Sequence, residues 1–134
     1  MKTVYYLISA LIFVYACTGL QNAESFFKYG NDKYQLGYNY EALDAYDKAI
    51  KMKPDFYQAY LNRGNVKSKM GDKRGAIVDY SMAVKINPEF YDAYYSRGNR
   101  KFELNEKVEA CKDWKKAADN GHKEAGNSYQ KYCK

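Results

Sequence analysis

The chain has 134 residues, 46% of them apolar and 28% charged, a length that fits one domain and a composition that excludes a disordered chain. Its formal net charge is +6, yet Lys and Arg are interleaved with Asp and Glu, with no run of five like charges. That pattern describes a solvated surface rather than a phosphate-binding stripe, so no nucleic-acid partner is expected.

The first residues differ from the rest. Lys2 is an early positive charge, and Val4 to Ala16 is an apolar run without an acidic residue, the layout of an export signal over residues 1–16. The run is 13 residues long, short for a membrane-spanning helix, which needs roughly 20. The VYAC stretch resembles a bacterial lipoprotein signal: Val14, Ala16 and Cys17 match, while Tyr15 is larger than usual there. That resemblance implies cleavage before Cys17, lipidation of Cys17 and a tether over residues 17–22, giving membrane contact and a place in the cell envelope or periplasm. Ordinary cleavage with secretion is the alternative reading, and an uncleaved anchor the third.

From Ala23 the pattern is helical with short breaks. Over residues 23–56, Phe26, Phe27, Tyr29 and Tyr34 recur at helical spacing and form a stripe that requires burial. Gly37 ends that helix; Ala42, Tyr46 and Ala49 mark a second, and Pro54 stops it. Residues 57–90 repeat the scheme with Tyr60, Gly64, the Gly71-Asp72 turn, Ala76, Tyr80, Ala83 and Pro88. Arg63 and Lys67 there are expected to cover apolar surface with their stems and keep their charges in water. Residues 91–124 repeat it again with Tyr94, Arg97, Gly98, Ala110, Trp114 and Ala117. Asn105 takes the place of the turn glycine, and Asn120-Gly121 must end the helix because His122 replaces the proline. Residues 123–133 suit a capping helix with Ala125, Tyr129 and Tyr132 or Cys133 on one face.

The landmarks Gly30, Gly64 and Gly98, then Ala42, Ala76 and Ala110, then Tyr46, Tyr80 and Trp114 stand 34 residues apart. A 34-residue period of this kind resembles the tetratricopeptide repeat. The resemblance implies an all-α fold, three helix-turn-helix repeats plus a C-terminal capping helix stacked as an α-solenoid over residues 23–134. It also implies a concave groove for a protein or peptide partner. Carried onto this chain, that groove contains Phe27, Asn31 and Tyr34, then Leu61, Asn65 and Ser68, then Tyr95, Asn99 and Phe102, bordered by Glu24, Gln58 and Asp92.

Asn31, Asn65 and Asn99 recur at the repeat period, and an amide offers both a donor and an acceptor to a peptide backbone. Asparagine is also usual after that glycine in this family, so a gripping ladder and a family habit stand side by side. Some relatives clamp the acidic tails of heat-shock chaperones. Asn31 and Asn65 fit that clamp, but Phe27, Asp92 and Ser96 replace its basic residues, which argues against it.

The remaining chemistry is sparse. His122 is the only histidine, and no metal-ligand spacing, catalytic triad or phosphate-cradling loop occurs, so neither enzyme activity nor a cofactor is expected. With Cys17 set aside, Cys111 and Cys133 lie 11 residues before and after His122, opposite each other across a hairpin turned there. A disulfide between them suits an oxidising compartment; two packed thiols are the alternative. The expected function is a non-catalytic, exported interaction scaffold. Its rival is a structural array that self-associates without a peptide ligand.

Overall fold

The computed structural model describes residues 22–134, so the expected signal, Cys17 and most of the tether lie outside the described residues. Seven helices follow in order: α1 (Ala23–Gln35), α2 (Asn39–Met52), α3 (Tyr57–Lys69), α4 (Lys73–Ile86), α5 (Tyr91–Glu103), α6 (Lys107–Ala118) and α7 (Lys123–Cys133). They pack as hairpins α1/α2, α3/α4 and α5/α6, with α7 against α6, and the first helices of successive hairpins also touch. The architecture is the all-α solenoid of three repeats and a cap. Among the described residues no helix is long and apolar enough to cross a membrane.

Local chemistry sets the ends of these helices. Asn22 and Ser25 form a reciprocal capping box at α1, with Asn22 Oδ1 accepting from Ser25 N at 2.8 Å and Ser25 Oγ accepting from Asn22 N at 3.1 Å. Asp72 accepts from Gly75 N at 2.8 Å and caps α4. Asn105 holds the left-handed angle (φ 63°) that Gly71 holds one repeat earlier (φ 89°). His122 turns out to be an N-cap: its Nδ1 accepts from Ala125 N at 3.2 Å, starting α7 where the other repeats have proline.

The hairpins close on a glycine–aromatic contact. A Cβ at Gly64 would sit 2.6 Å from the Tyr80 ring, at Gly30 2.7 Å from Tyr46, and at Gly98 2.8 Å from Trp114. No side chain fits there, so the helices cross closely and the aromatic fills the crossing. Each buried aromatic then donates to the asparagine after the glycine: Tyr46 Oη to Asn31 Oδ1 and Tyr80 Oη to Asn65 Oδ1, both at 2.8 Å, and Trp114 Nε1 to Asn99 Oδ1 at 3.0 Å. Burial pushes the Tyr46 and Tyr80 hydroxyls up to about 12.

Arg63 and Lys67 do not keep their charges in water. Asp79, 1% exposed, receives Arg63 Nε at 2.9 Å and Nη2 at 2.6 Å, and Lys67 Nζ at 2.8 Å. Arg63 Nη1 meanwhile reaches Asp47 of the preceding hairpin at 2.6 Å. Burial opposes the guanidinium charge, but the two carboxylates more than offset it and hold its pKa above the ordinary value. The third repeat has the same arrangement: Arg97 at 2.9 and 2.7 Å and Lys101 at 2.8 Å meet Asp113, and Arg97 Nη1 donates to Ser81 Oγ at 3.1 Å.

The first repeat lacks this knot, with Tyr29, Lys33 and Ala45 in the corresponding places. Tyr29 consequently is 49% exposed rather than part of the buried stripe, and the Lys33 ammonium lies 5.2 Å from its ring centre.

At the other end, Cys111 and Cys133 form a disulfide with Cα atoms 5.8 Å apart. Ala125, Tyr129 and Tyr132 of α7 cover Trp114 and Ala117.

Asp79→Ala leaves the Arg63 charge buried with only Asp47, and should cost about 3–5 kcal/mol in urea unfolding. Adding Arg63→Tyr, the pairing the first repeat uses, should recover most of that loss; no recovery would show that the knot does not act as a unit. The tyrosines give an alkaline signature. Their folded pKa lies above the free value of about 10, so their contribution is complete below that pH and is lost as pH climbs towards about 12. Melting temperature should fall across that window, and less steeply in the Tyr46→Phe, Tyr80→Phe double variant. An identical slope in both proteins would remove these hydroxyls as the cause.

Candidate functional site

Side by side, α1, α3 and α5 form the walls of an open cavity of about 240 Å³. Tyr34 enters from α1, Asn65, Ser68 and Lys69 from α3, and Ser96, Asn99 and Arg100 from α5, with Tyr80 of α4 completing the wall. Its lining follows from the repeat geometry. The asparagines sit one residue after the crossing glycines, and Ser68, Lys69 and Arg100 come from the last turns of α3 and α5, where the helices carry Lys67, Lys69, Arg100 and Lys101.

The hydrogen bonds fix what the asparagines can offer. An indole N–H can only donate, so Trp114 determines that the oxygen of Asn99 faces it. The Tyr80 hydroxyl donates to the Asn65 oxygen. Neither amide nitrogen has a protein acceptor among the described residues, so these two groups present donors rather than a donor and an acceptor. Asn31 is engaged twice, its oxygen accepting from Tyr46 and from Asn62 Nδ2 at 2.7 Å.

Two cations flank these amides. Arg100 donates through Nη1 to Ser68 Oγ at 2.6 Å and pairs through Nη2 with Glu103 at 2.7 Å. Glu103 is shared with Lys73 Nζ at 3.0 Å. Lys69 lies 5.1 Å from the Tyr34 ring centre and has no carboxylate partner among the described residues.

Of the nine groove residues expected from the sequence, the structure brings Tyr34, Asn65, Ser68 and Asn99 together in this cavity. The others are placed elsewhere. Phe27 packs 4.7 Å from the Phe56 ring and 5.9 Å from Tyr46. Leu61 joins the cluster around Tyr60 and Ala83, and Phe102 lies 5.2 Å from Trp114 and 4.7 Å from Tyr132 beneath the cap. The Tyr95 ring lies tilted with its centre 4.7 Å from that of His122, whose Nε2 is 3.2 Å from Asp92.

Sequence reasoning missed Lys69 and Arg100. Neither recurs at the 34-residue period: the preceding repeat has Gln35 and Val66 in their places. Their only signal was the basic last turn of each first helix. Among the described residues no group of His, Cys, Asp and Glu is arranged to hold a metal ion.

The TPR-repeat profile matches residues 30–71, and the tetratricopeptide-repeat profile matches residues 57–90. No curated protein matches the sequence at a significant level. Among solved structures, the first TPR of Spaghetti (RPAP3), bound to the HSP90 peptide SRMEEVD, is 28% identical with a TM-score of 0.79, over 85% of this chain and 92% of that one. The first TPR domain of human RPAP3 is 27% identical with a TM-score of 0.77, over 83% and 89%. MamA is 30% identical with a TM-score of 0.74, over 80% of this chain and 63% of that one. The profiles place tetratricopeptide repeats over residues 30–90, and the described chain has the fold of such domains, three hairpins closed by a capping helix.

Proposed function

We propose that the protein is a non-catalytic interaction module that takes a segment of a partner protein on the surface formed by α1, α3 and α5, and that it works outside the cytoplasm, tethered by lipid at Cys17. The observation that carries the binding role is the cavity whose polar lining is drawn from all three first helices. A peptide lying across the hairpins meets it without any helix having to move. The Spaghetti domain, solved with an HSP90 peptide, is a similar fold with such an occupant. The chaperone-tail clamp itself is not proposed: Phe27 is partly buried against the Phe56 cluster and Asp92 adds a negative charge at the groove edge.

Two features support export. The apolar run ending at Cys17 has the form of a secretion signal, and the Cys111–Cys133 disulfide is a bond that persists in oxidising compartments. A self-associating array is the second reading, favoured by the exposed Leu36 (68%), Tyr38 (51%) and Tyr40 (77%) at the turn of the first hairpin.

Affinity capture from native envelopes should retrieve the same partner with intact protein and with Cys17→Ser, while only the intact protein sediments with membranes. Membrane recovery unchanged by Cys17→Ser would rule out the lipid tether. A stable homo-oligomer that buries the cavity, seen by light scattering, would favour the array instead. Mass spectrometry of envelope-derived protein should find Cys111 joined to Cys133, and reduction should lower stability by about 2–4 kcal/mol. Two free thiols in that material would remove the disulfide as support for export.

A further inference from the structure

The capping helix α7 has a sequence that barely supports a helix. It has 11 residues, fewer than the roughly 12–15 that an isolated helix needs in water, and Gly126, Asn127 and Ser128 follow one another in its middle. The glycine has no packing reason to be there. A Cβ at Gly126 would meet the Ala118 methyl at 3.9 Å, an ordinary contact, whereas the crossing glycines leave no room for one. The helix is fastened at its two ends instead, by the His122 cap at its start and by the Cys111–Cys133 disulfide at its finish. Both cysteines are partly exposed, so a soluble reductant can reach the bond.

The disulfide also adjoins the contacts through which α7 touches the last hairpin. Tyr132, next to Cys133, has its ring centre 4.7 Å from that of Phe102 and 5.9 Å from that of Trp114. Trp114 donates to Asn99, which lines the cavity between the first helices. A continuous run of contacts, from Cys133 through Tyr132 and Trp114 to Asn99, therefore joins the sulfurs to the candidate binding surface.

We propose that the Cys111–Cys133 bond is a redox latch. Oxidised, it holds α7 on the last hairpin and keeps Trp114 and Asn99 in place; reduced, it lets α7 open by itself and loosens the cavity wall at Asn99. The latch goes beyond the interaction-module reading, and its effect on binding is the one part that rests on it. The reductant is a dithiol. Its thiolate attacks one sulfur to give a mixed disulfide and release the other cysteine, and its second thiol then displaces the first. Two electrons and two protons pass to Cys111 and Cys133, and the dithiol becomes a disulfide. Opening stays confined to the cap because the units of the array contact their neighbours alone.

The test compares full-length protein in detergent micelles before and after treatment with dithiothreitol. Hydrogen exchange is measured along the chain, and the Trp114 indole and Asn99 side-chain amide resonances are recorded on the same samples. Reduction should raise exchange of the α7 amides roughly a hundredfold, leave α3 and α4 as they were, and shift both resonances; oxidised glutathione should reverse these changes. In the reduced protein, Gly126→Ala should slow α7 exchange roughly fivefold, a response that a helix stable without its disulfide would not give. The latch is overturned by α7 protection that survives reduction, by a loss spread equally over all three hairpins, by unshifted Trp114 and Asn99 resonances, or by α7 exchange that Gly126→Ala leaves unchanged. None of these readouts needs a natural partner, so a capture experiment that fails while they hold counts against the module reading and leaves the latch standing.

Discussion

The structure depends on the contact between a glycine and an aromatic ring. At Gly64 there is no room for even one methyl group against Tyr80, and that closeness brings two helices near enough for their small residues, Ala76 and Ala83 among them, to be fully buried. The contact recurs at Gly30 and Gly98 in the other two hairpins, and the stacking of the three brings α1, α3 and α5 side by side. The asparagine after each glycine is held by the same aromatic. One packing constraint therefore builds the core and also orients the polar groups of the candidate site.

The buried ion clusters add a second layer of organisation that the packing alone does not supply. Arg63 grips its own hairpin through Asp79 and the preceding one through Asp47, so a single guanidinium ties the register of two repeats. Arg97 does the same with Asp113, but meets a serine, Ser81, in the preceding hairpin. Arg63 thus crosses the first junction by an ion pair and Arg97 crosses the second by a neutral hydrogen bond, the ionic contacts of the second junction being Lys73–Glu103 and Arg74–Glu106. A buried charge cluster of this kind is costly to break and poor at tolerating a shifted alignment, which suits a stack whose units are otherwise nearly interchangeable.

The repeat period carried most of the fold into the sequence. Helix starts at residues 23, 57, 91 and 123 were readable because glycine, alanine, aromatic and proline each mark a mechanical event. The ion clusters were legible only in retrospect: Arg63 and Arg97, Lys67 and Lys101, and Asp79 and Asp113 also recur at the period. Their burial depends on two helices meeting at a given height, which a single-helix pattern does not reveal. The site was half legible. Phe27 and Phe102 belong to the groove by position, yet large rings gain more from contacts at 4.7 Å with Phe56 and Tyr132 than from waiting for a ligand. Lys69 and Arg100 break the repeat, so periodicity pointed away from them.

The disulfide also bears on how the chain reaches this state. Cys111 and Cys133 are separated by 22 residues and join elements adjacent in sequence, α6 and α7. Contacts throughout the solenoid are between neighbours, and arrays of this type can begin to order at any unit. The two sulfurs can therefore meet as soon as α7 packs against α6, whatever the state of the first two hairpins. Oxidation is a local event that seals one end of the chain, and the rest of the array can assemble against an already closed boundary.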